Sequence, residues 1–162
     1  MAIAFRDNVV IGHNLGFDLL VLAYYYGIPF PKQVFDTMLA QHRLSPETEK
    51  SLGHCISLYL HLPYHKDEGI FTPHNQQQEQ QLWAYNAKDV YTTYLLRKQL
   101  LKSASFIRGA DISIKQANDS LRCYLTMTML GCRLDTDNFC KVHDDFRREQ
   151  ELYERMLNIV VS

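Results

Sequence analysis

The apolar and polar positions in the first part of the chain change periodicity several times over short distances. Val9-Val10-Ile11 is a β-branched apolar run, which predicts a short buried strand. Asn14 is then expected to cap a helix over Leu15–Tyr26, which ends at Gly27. A second short strand is predicted over Gln33–Asp36. Strand, helix and strand in this order indicate an α/β arrangement.

Helical patterns dominate the chain after the second strand. Asp36-Thr37 is expected to cap a helix ending near Leu44, and Ser45-Pro46-Glu47-Thr48 to start another that reaches Leu58 or beyond. Residues 63–73 are predicted to be a loop. The longest helix is predicted over residues 75–101.

Residues 103–110 mark a weak boundary, and two further helical patterns follow it. One covers residues 111–129, and the other begins at a cap on Asp137 and extends to about residue 160. Between them, Cys132-Arg133-Leu134-Asp135 is expected to be extended. The last helix is amphipathic with a densely charged polar face.

Composition narrows the possible classes of protein. The chain is 46% hydrophobic and 22% charged, as in ordinary globular proteins. Its net charge of -1 argues against a strong nonspecific duplex binder, which needs excess positive charge to neutralise phosphates. The four cysteines show no Cys-x-x-Cys spacing, so neither a zinc ribbon nor a redox motif is predicted. No apolar run is long enough to span a bilayer, and a cytoplasmic location is expected.

Three side chains have the chemistry and spacing of a phosphodiesterase site. Phosphodiester hydrolysis is favoured by two divalent cations about 4 Å apart, and such cations prefer carboxylate oxygens. Asp18 lies in the first turn of its helix at the carboxyl end of a strand, where open α/β sheets place ligands. Tyr85 and Asp89 are four residues apart and share a helix face. Lys88 is a candidate phosphate contact.

Two motifs give these residues a family context. Residues 10–18 resemble the second motif of the 3′–5′ proofreading exonuclease in family A DNA polymerases, and residues 83–90 resemble the third motif in its tyrosine-bearing form. Residues 35–38 and 50–66 are similar to phage members of that family. Residues 124–135 resemble the lead-in to a polymerase domain.

The resemblance implies a role for each matching residue. Asp89 would bind a Mg²⁺ or Mn²⁺ ion directly, Asp18 would act on the metals largely through water, and Tyr85 would position the nucleophilic water. Three residues would shape the pocket for the terminal nucleotide: Asn14, Leu15 and Phe17. Because an ordinary tyrosine has a pKa of about 10, Tyr85 would orient water and not act as a general base.

The first motif of the family, Asp-x-Glu on a leading strand, does not occur before Asn14. The fold expected from the resemblance is therefore an α/β, RNase H-like exonuclease domain over residues 1–102 without its N-terminal strands. Residues 103–162 would be the helical segment leading to a polymerase. The two-metal site would be incomplete, and its expected partners are a single-stranded DNA 3′ end and a polymerase domain or upstream exonuclease segment.

Two other functions are compatible with these motifs. One is a catalytically inactive remnant that binds DNA or a polymerase partner. The other is an exoribonuclease of the same superfamily, against which the polymerase-like residues 124–135 speak.

Overall fold

The computed structural model describes residues 5, 7–62, 72 and 74–161. This part of the chain is mostly helical and contains a small parallel sheet. Its elements over residues 9–161 are, in order, β1 (Val9–Gly12), α1 (Leu15–Tyr26), β2 (Gln33–Asp36), α2 (Thr37–Leu44), α3 (Leu52–Leu60), α4 (Gln76–Ala104), α5 (Ala110–Leu130) and α6 (Thr136–Val161). The loop predicted over residues 63–73 lies outside the described residues except for Thr72.

The two described strands confirm the α/β unit predicted from the sequence. β1 and β2 pair in parallel from Val9 opposite Gln33 to Gly12 opposite Asp36, and α1 connects them. Their carboxyl ends therefore lie side by side at one edge of the sheet. At that edge the chain enters α1 after Gly12 and α2 directly after Asp36.

The start of α3 differs from the prediction. The chain does not resume helix at Ser45, because residues 45–48 form a turn in which the Thr48 N–H and hydroxyl both donate to the Ser45 carbonyl, at 3.2 and 3.0 Å. Helix begins only at Leu52, where the Ser51 hydroxyl accepts a capping bond from the His54 N–H at 3.3 Å. The predicted start at Ser45 is therefore wrong, and Ser51 is the residue that caps α3.

The cap of α6, which follows the connection from α5, also differs from the prediction. Gly131 ends α5 with a positive φ of 68°, a conformation that favours glycine. Residues 131–135 form no strand. Asp135, and not Asp137, caps α6, since its carboxylate accepts from the Asn138 N–H at 3.1 Å.

Two clusters of buried side chains hold the sheet and helices together. The larger joins β2, α2, α3, α4 and the start of α5, and consists of Phe35, Ala40, Cys55, Leu96, Leu100, Ala104, Ala110 and Ile114. The smaller packs α1 against the second half of α5 through Leu15, Leu19 and Leu125. The helix α5 thus contributes to both clusters.

The chain divides into two compact units, residues 1–129 and 130–162. All elements from β1 to α5 lie in the first unit, apart from the last residue of α5. In the second, the side chains of α6 are exposed over residues 136–159, including an apolar stripe that contains Phe146, Tyr153 and Leu157. No helix in the described part of the chain is both long and apolar enough to cross a membrane.

Candidate exonuclease site

The candidate site begins where β1 passes into α1. Asn14 adopts the left-handed conformation with φ 56° and ψ 42°, which asparagine tolerates better than most residues. This conformation turns the chain sharply from the strand into the helix. The first turn of α1 lies so close to the strand end that a Cβ placed on Gly12 would be 2.7 Å from Cδ1 of Leu15.

The carboxylate of Asp36 caps α1 from the neighbouring strand. Its Oδ1 accepts from the Asn14 N–H at 3.1 Å, and its Oδ2 accepts from the Leu15 N–H at 2.9 Å. The same Oδ1 accepts from the Met38 N–H at 2.8 Å and so caps α2 as well. The predicted role of Asn14 as the N-cap is therefore wrong in one respect, since its side chain makes no capping bond. One buried carboxylate fixes the first turns of both helices.

His13 forms a second polar contact at the same edge. Its Nδ1 lies 2.9 Å from the Thr37 hydroxyl, which donates its proton to the Gly12 carbonyl at 3.0 Å. Because that hydroxyl proton is used, His13 must donate from Nδ1. Burial lowers the pKa of His13, against the opposing effects of the Asp36 carboxylate, the Lys50 backbone and the Asp89 carboxylate.

The lowered pKa of His13 predicts a pH dependence of stability. An imidazole with a folded pKa below its unfolded value takes up a proton more readily in the unfolded chain. The free energy of unfolding should therefore fall as pH drops through about 6.5, the unfolded value, towards the lower folded pKa. In His13→Asn, whose amide can still donate to Thr37, the urea midpoint should change less between pH 7.5 and pH 5 than in the parent. An equal change in both proteins would contradict this account.

The residues predicted on α1 differ in how accessible they are. Asn14, Phe17 and Asp18 are exposed at the carboxyl end of β1, with 66% of Phe17 accessible. Leu15 is buried in the smaller cluster, so it holds the turn in place and offers little surface to a ligand. Partial burial of its carboxyl group raises the pKa of Asp18, and repulsion from the Asp36 carboxylate adds a smaller effect in the same direction. The hydrogen bond from its own backbone N–H acts in the opposite direction.

The residues predicted on α4 lie one turn apart near the same sheet edge. Tyr85 and Asp89 are half-buried, whereas Lys88 is exposed. The buried Thr92 hydroxyl holds this part of the helix by donating to the Lys88 and Asp89 carbonyls at 2.8 and 3.1 Å. Since the Asp89 carboxylate acts on the pKa of His13, α4 brings Asp89 within electrostatic reach of the turn that leads to Asp18.

The described donors do not by themselves fit a two-metal centre. Asp18 and Asp89 offer the hard carboxylate oxygens that divalent cations prefer. However, in the part of the chain that the structure describes, no three His, Cys, Asp or Glu side chains are grouped so that they could hold a metal ion.

Two supporting residues were not identified as such from the sequence. Asp36 was expected to cap only the helix that follows it, although the parallel register opposite Gly12 could have indicated a contact with α1. Asn118 is buried on α5 and accepts a hydrogen bond from the Asp36 N–H at 2.6 Å. No local pattern marks Asn118, because its partner is 82 residues away.

Comparison with known proteins defines the class to which this arrangement belongs. A family model described as a 3′–5′ exonuclease matches residues 2–104, which is more than half of the chain. DNA polymerase I of Aquifex aeolicus (strain VF5) is 52% identical over 55 residues, covering 34% of this chain and 9% of that protein. The aligned stretch is thus a small part of the relative's length. No solved structure matches the chain significantly.

The chain belongs to the family of 3′–5′ exonuclease domains found in family A DNA polymerases. The resemblance recognised from the two motifs is confirmed at this level.

Proposed function

We propose that this chain acts as a metal-dependent 3′–5′ exonuclease domain that releases nucleoside monophosphates from the 3′ end of single-stranded DNA during proofreading. One observation carries the proposal. In this member of the exonuclease family, α1 begins at the carboxyl end of a parallel strand pair, and the Asp89 carboxylate on α4 acts electrostatically on His13 at that end. An RNase H-like fold for residues 1–102 accounts for this arrangement.

The family resemblance implies a role for each of these residues, and we propose those roles here. Phe17 and Asn14 are accessible and would contact the terminal nucleotide, while Lys88 would contact a backbone phosphate. Asp18 and Asp89 would be metal-linked carboxylates, with Asp89 a direct ligand. Tyr85, one turn before Asp89, would orient the attacking water through its hydroxyl.

A full centre also needs the Asp-x-Glu pair of the family. Exonuclease domains of this family generally depend on divalent metals, which supply the Lewis acidity for phosphodiester cleavage. We propose that the pair comes from an upstream exonuclease segment or from a partner chain, and that residues 103–162 lead towards a polymerase domain.

The direct test is degradation of a 5′-labelled single strand with manganese. The chain is assayed alone and joined to an upstream Asp-x-Glu segment from a related polymerase. Shortening from the 3′ end, abolished by a blocked 3′ terminus, is expected for the joined protein. A folded joined protein that leaves the strand intact, or cuts it internally, would contradict the proposal.

Tyr85→Phe tests the water-orienting role. The variant should lower kcat by about 10- to 100-fold, the size typical of lost outer-shell hydrogen bonds, while manganese affinity stays at the parent value. Tyr91→Phe, an exposed position on the same helix, is the matched control and should keep parental activity. Loss of manganese affinity in Tyr85→Phe would contradict the role of an orienting residue.

One observation favours a second function. Because the described part of the chain holds no complete metal group, a domain that binds DNA or a polymerase without cutting is the alternative. Retention of a single strand with no shortening, by the joined protein as well as by the chain alone, would establish it. Faster cleavage of an RNA strand than of DNA would instead indicate an exoribonuclease.

A further inference from the structure

We propose that Asn118, on the helix that follows the family-matched region, is a positioning residue of the exonuclease site. The match to the family ends at residue 104, and α5 begins at Ala110. Nevertheless α5 makes a polar contact with Asp36 on β2 and apolar contacts with the first turn of α1, which carries part of the motif at residues 10–18. The inference rests on the proposed function for the meaning of the site, while the contacts themselves do not depend on it.

The polar contact is a chain of hydrogen bonds between buried groups. The Asn118 amide donates to the Ile114 carbonyl at 2.9 Å, which fixes the orientation of the side chain on α5. Its Oδ1 accepts from the Asp36 N–H at 2.6 Å. The Asp36 carboxylate then accepts from the N–H groups of Asn14 and Leu15. Asn118 and Asp36 are only 4% and 2% exposed, so water offers little competition for these bonds.

The apolar contact reaches the same turn of α1. A Cβ placed on Gly16 would lie 3.4 Å from Cδ1 of Leu121 and 3.6 Å from Cδ2 of Leu125. Gly16 stands between Leu15 and Asp18, so α5 lies directly against the turn that presents the site. Leu125 also packs with Leu15 and Leu19 in the smaller cluster.

These two contacts give Asn118 a role beyond filling space. Apolar packing holds α1 against α5, but the hydrophobic effect that drives it is non-directional. The directional bond to the Asp36 N–H fixes the end of β2 relative to α5, and the Asp36 carboxylate transmits that position to Asn14 and Leu15. A displacement of α5 would therefore alter the turn that carries Phe17 and Asp18. The helix is an integral support of the site.

The test compares Asn118→Ala with Ser120→Ala in the full chain. Like the Asn118 amide, the Ser120 hydroxyl donates to a carbonyl four residues earlier on α5, that of Gln116, at 2.8 Å. This bond stays within α5, whereas Asn118 also accepts from the Asp36 N–H on β2. In Asn118→Ala the amide exchange of Asn14, Leu15 and Asp36 should accelerate about tenfold or more relative to amides in the middle of α4. Ser120→Ala should leave these rates within about twofold of the parent.

A general loss of stability would accelerate the α4 amides in proportion, so the selective change separates positioning from simple structural support. If Asn118→Ala does not fold, Asn118→Leu keeps nearly the same volume without the acceptor and should show the same selective change. Unchanged exchange at Asn14 and Leu15 in a folded variant, or uniform acceleration throughout, would overturn the proposal.

The degradation assay adds a functional readout. In the joined protein, Asn118→Leu should lower kcat/KM for strand shortening about tenfold, and Ser120→Ala should not. Parental kcat/KM in Asn118→Leu would overturn the positioning role. A parent without nuclease activity would instead overturn the proposed function, and the exchange rates alone would then decide whether Asn118 positions the turn.

Discussion

Asp36→Ala is expected to lower the free energy of unfolding by about 3 kcal/mol or more. The buried carboxylate accepts from three backbone N–H groups, those of Asn14, Leu15 and Met38, which begin α1 and α2. Removing it leaves these donors without their acceptor; the bond from Leu15 is buried and the other two are part-buried. A buried unsatisfied group costs about 1–3 kcal/mol and a lost helix cap about 1 kcal/mol. A single substitution would thus weaken two helix starts at the sheet edge.

Urea unfolding followed by circular dichroism measures this effect. Asp36→Asn retains one acceptor oxygen and should fall between the parent and Asp36→Ala. Asp135→Ala is the matched control. Asp135 also caps a helix, but it is exposed and accepts a single capping bond, from the backbone N–H of Asn138. A cap of that kind contributes about 1 kcal/mol. Equal losses for Asp36→Ala and Asp135→Ala would contradict the double-capping role.

Asp89→Ala should have the largest effect on activity. In the joined protein that carries Asp-x-Glu, we expect strand shortening to fall by more than about 100-fold, because loss of outer-shell partners alone costs about 10- to 100-fold and Asp89 is proposed as a direct ligand. The fold should survive, since the side chain is only half-buried and the following turn is held by Thr92.

The control for Asp89→Ala is Glu79→Ala, an exposed carboxylate in the first turn of the same helix. It should keep parental shortening and parental manganese affinity. Activity of Asp89→Ala within about threefold of the parent would contradict the role of Asp89 as a metal ligand. It would also contradict the proposed role of the third motif.

Local patterns were sufficient to predict most elements of the fold. The strands, α1, α2 and the longest helix lie close to their predicted bounds, because β-branched runs, a terminating glycine and capping residues act over a few positions. The predicted start of α3 at residues 45–48 was wrong, because these residues form a turn with bonds back to the Ser45 carbonyl.

The candidate site was predictable only in its sequence motifs. Asp18, Tyr85 and Asp89 were identified by residue type, spacing and resemblance. The parts that hold them in place depend on contacts distant in sequence: Asp36 caps a helix that precedes it by 21 residues, and Asn118 supports Asp36 across 82. Such contacts leave no periodic signal. Asn14 has the residue type of a good N-cap, but its side chain makes no capping bond. It contributes to the start of α1 through its left-handed backbone conformation.

The most direct test of the central claim is paramagnetic broadening of amide resonances by manganese in the joined protein that carries Asp-x-Glu. If the two motifs form one site, substoichiometric Mn²⁺ should broaden resonances around Asp18 on α1 and around Asp89 on α4 together. Both effects should be lost in Asp89→Ala and retained in Glu79→Ala. Broadening confined to one motif, or only to the acidic residues of α6, would contradict the claim that these two segments share a metal-dependent exonuclease site.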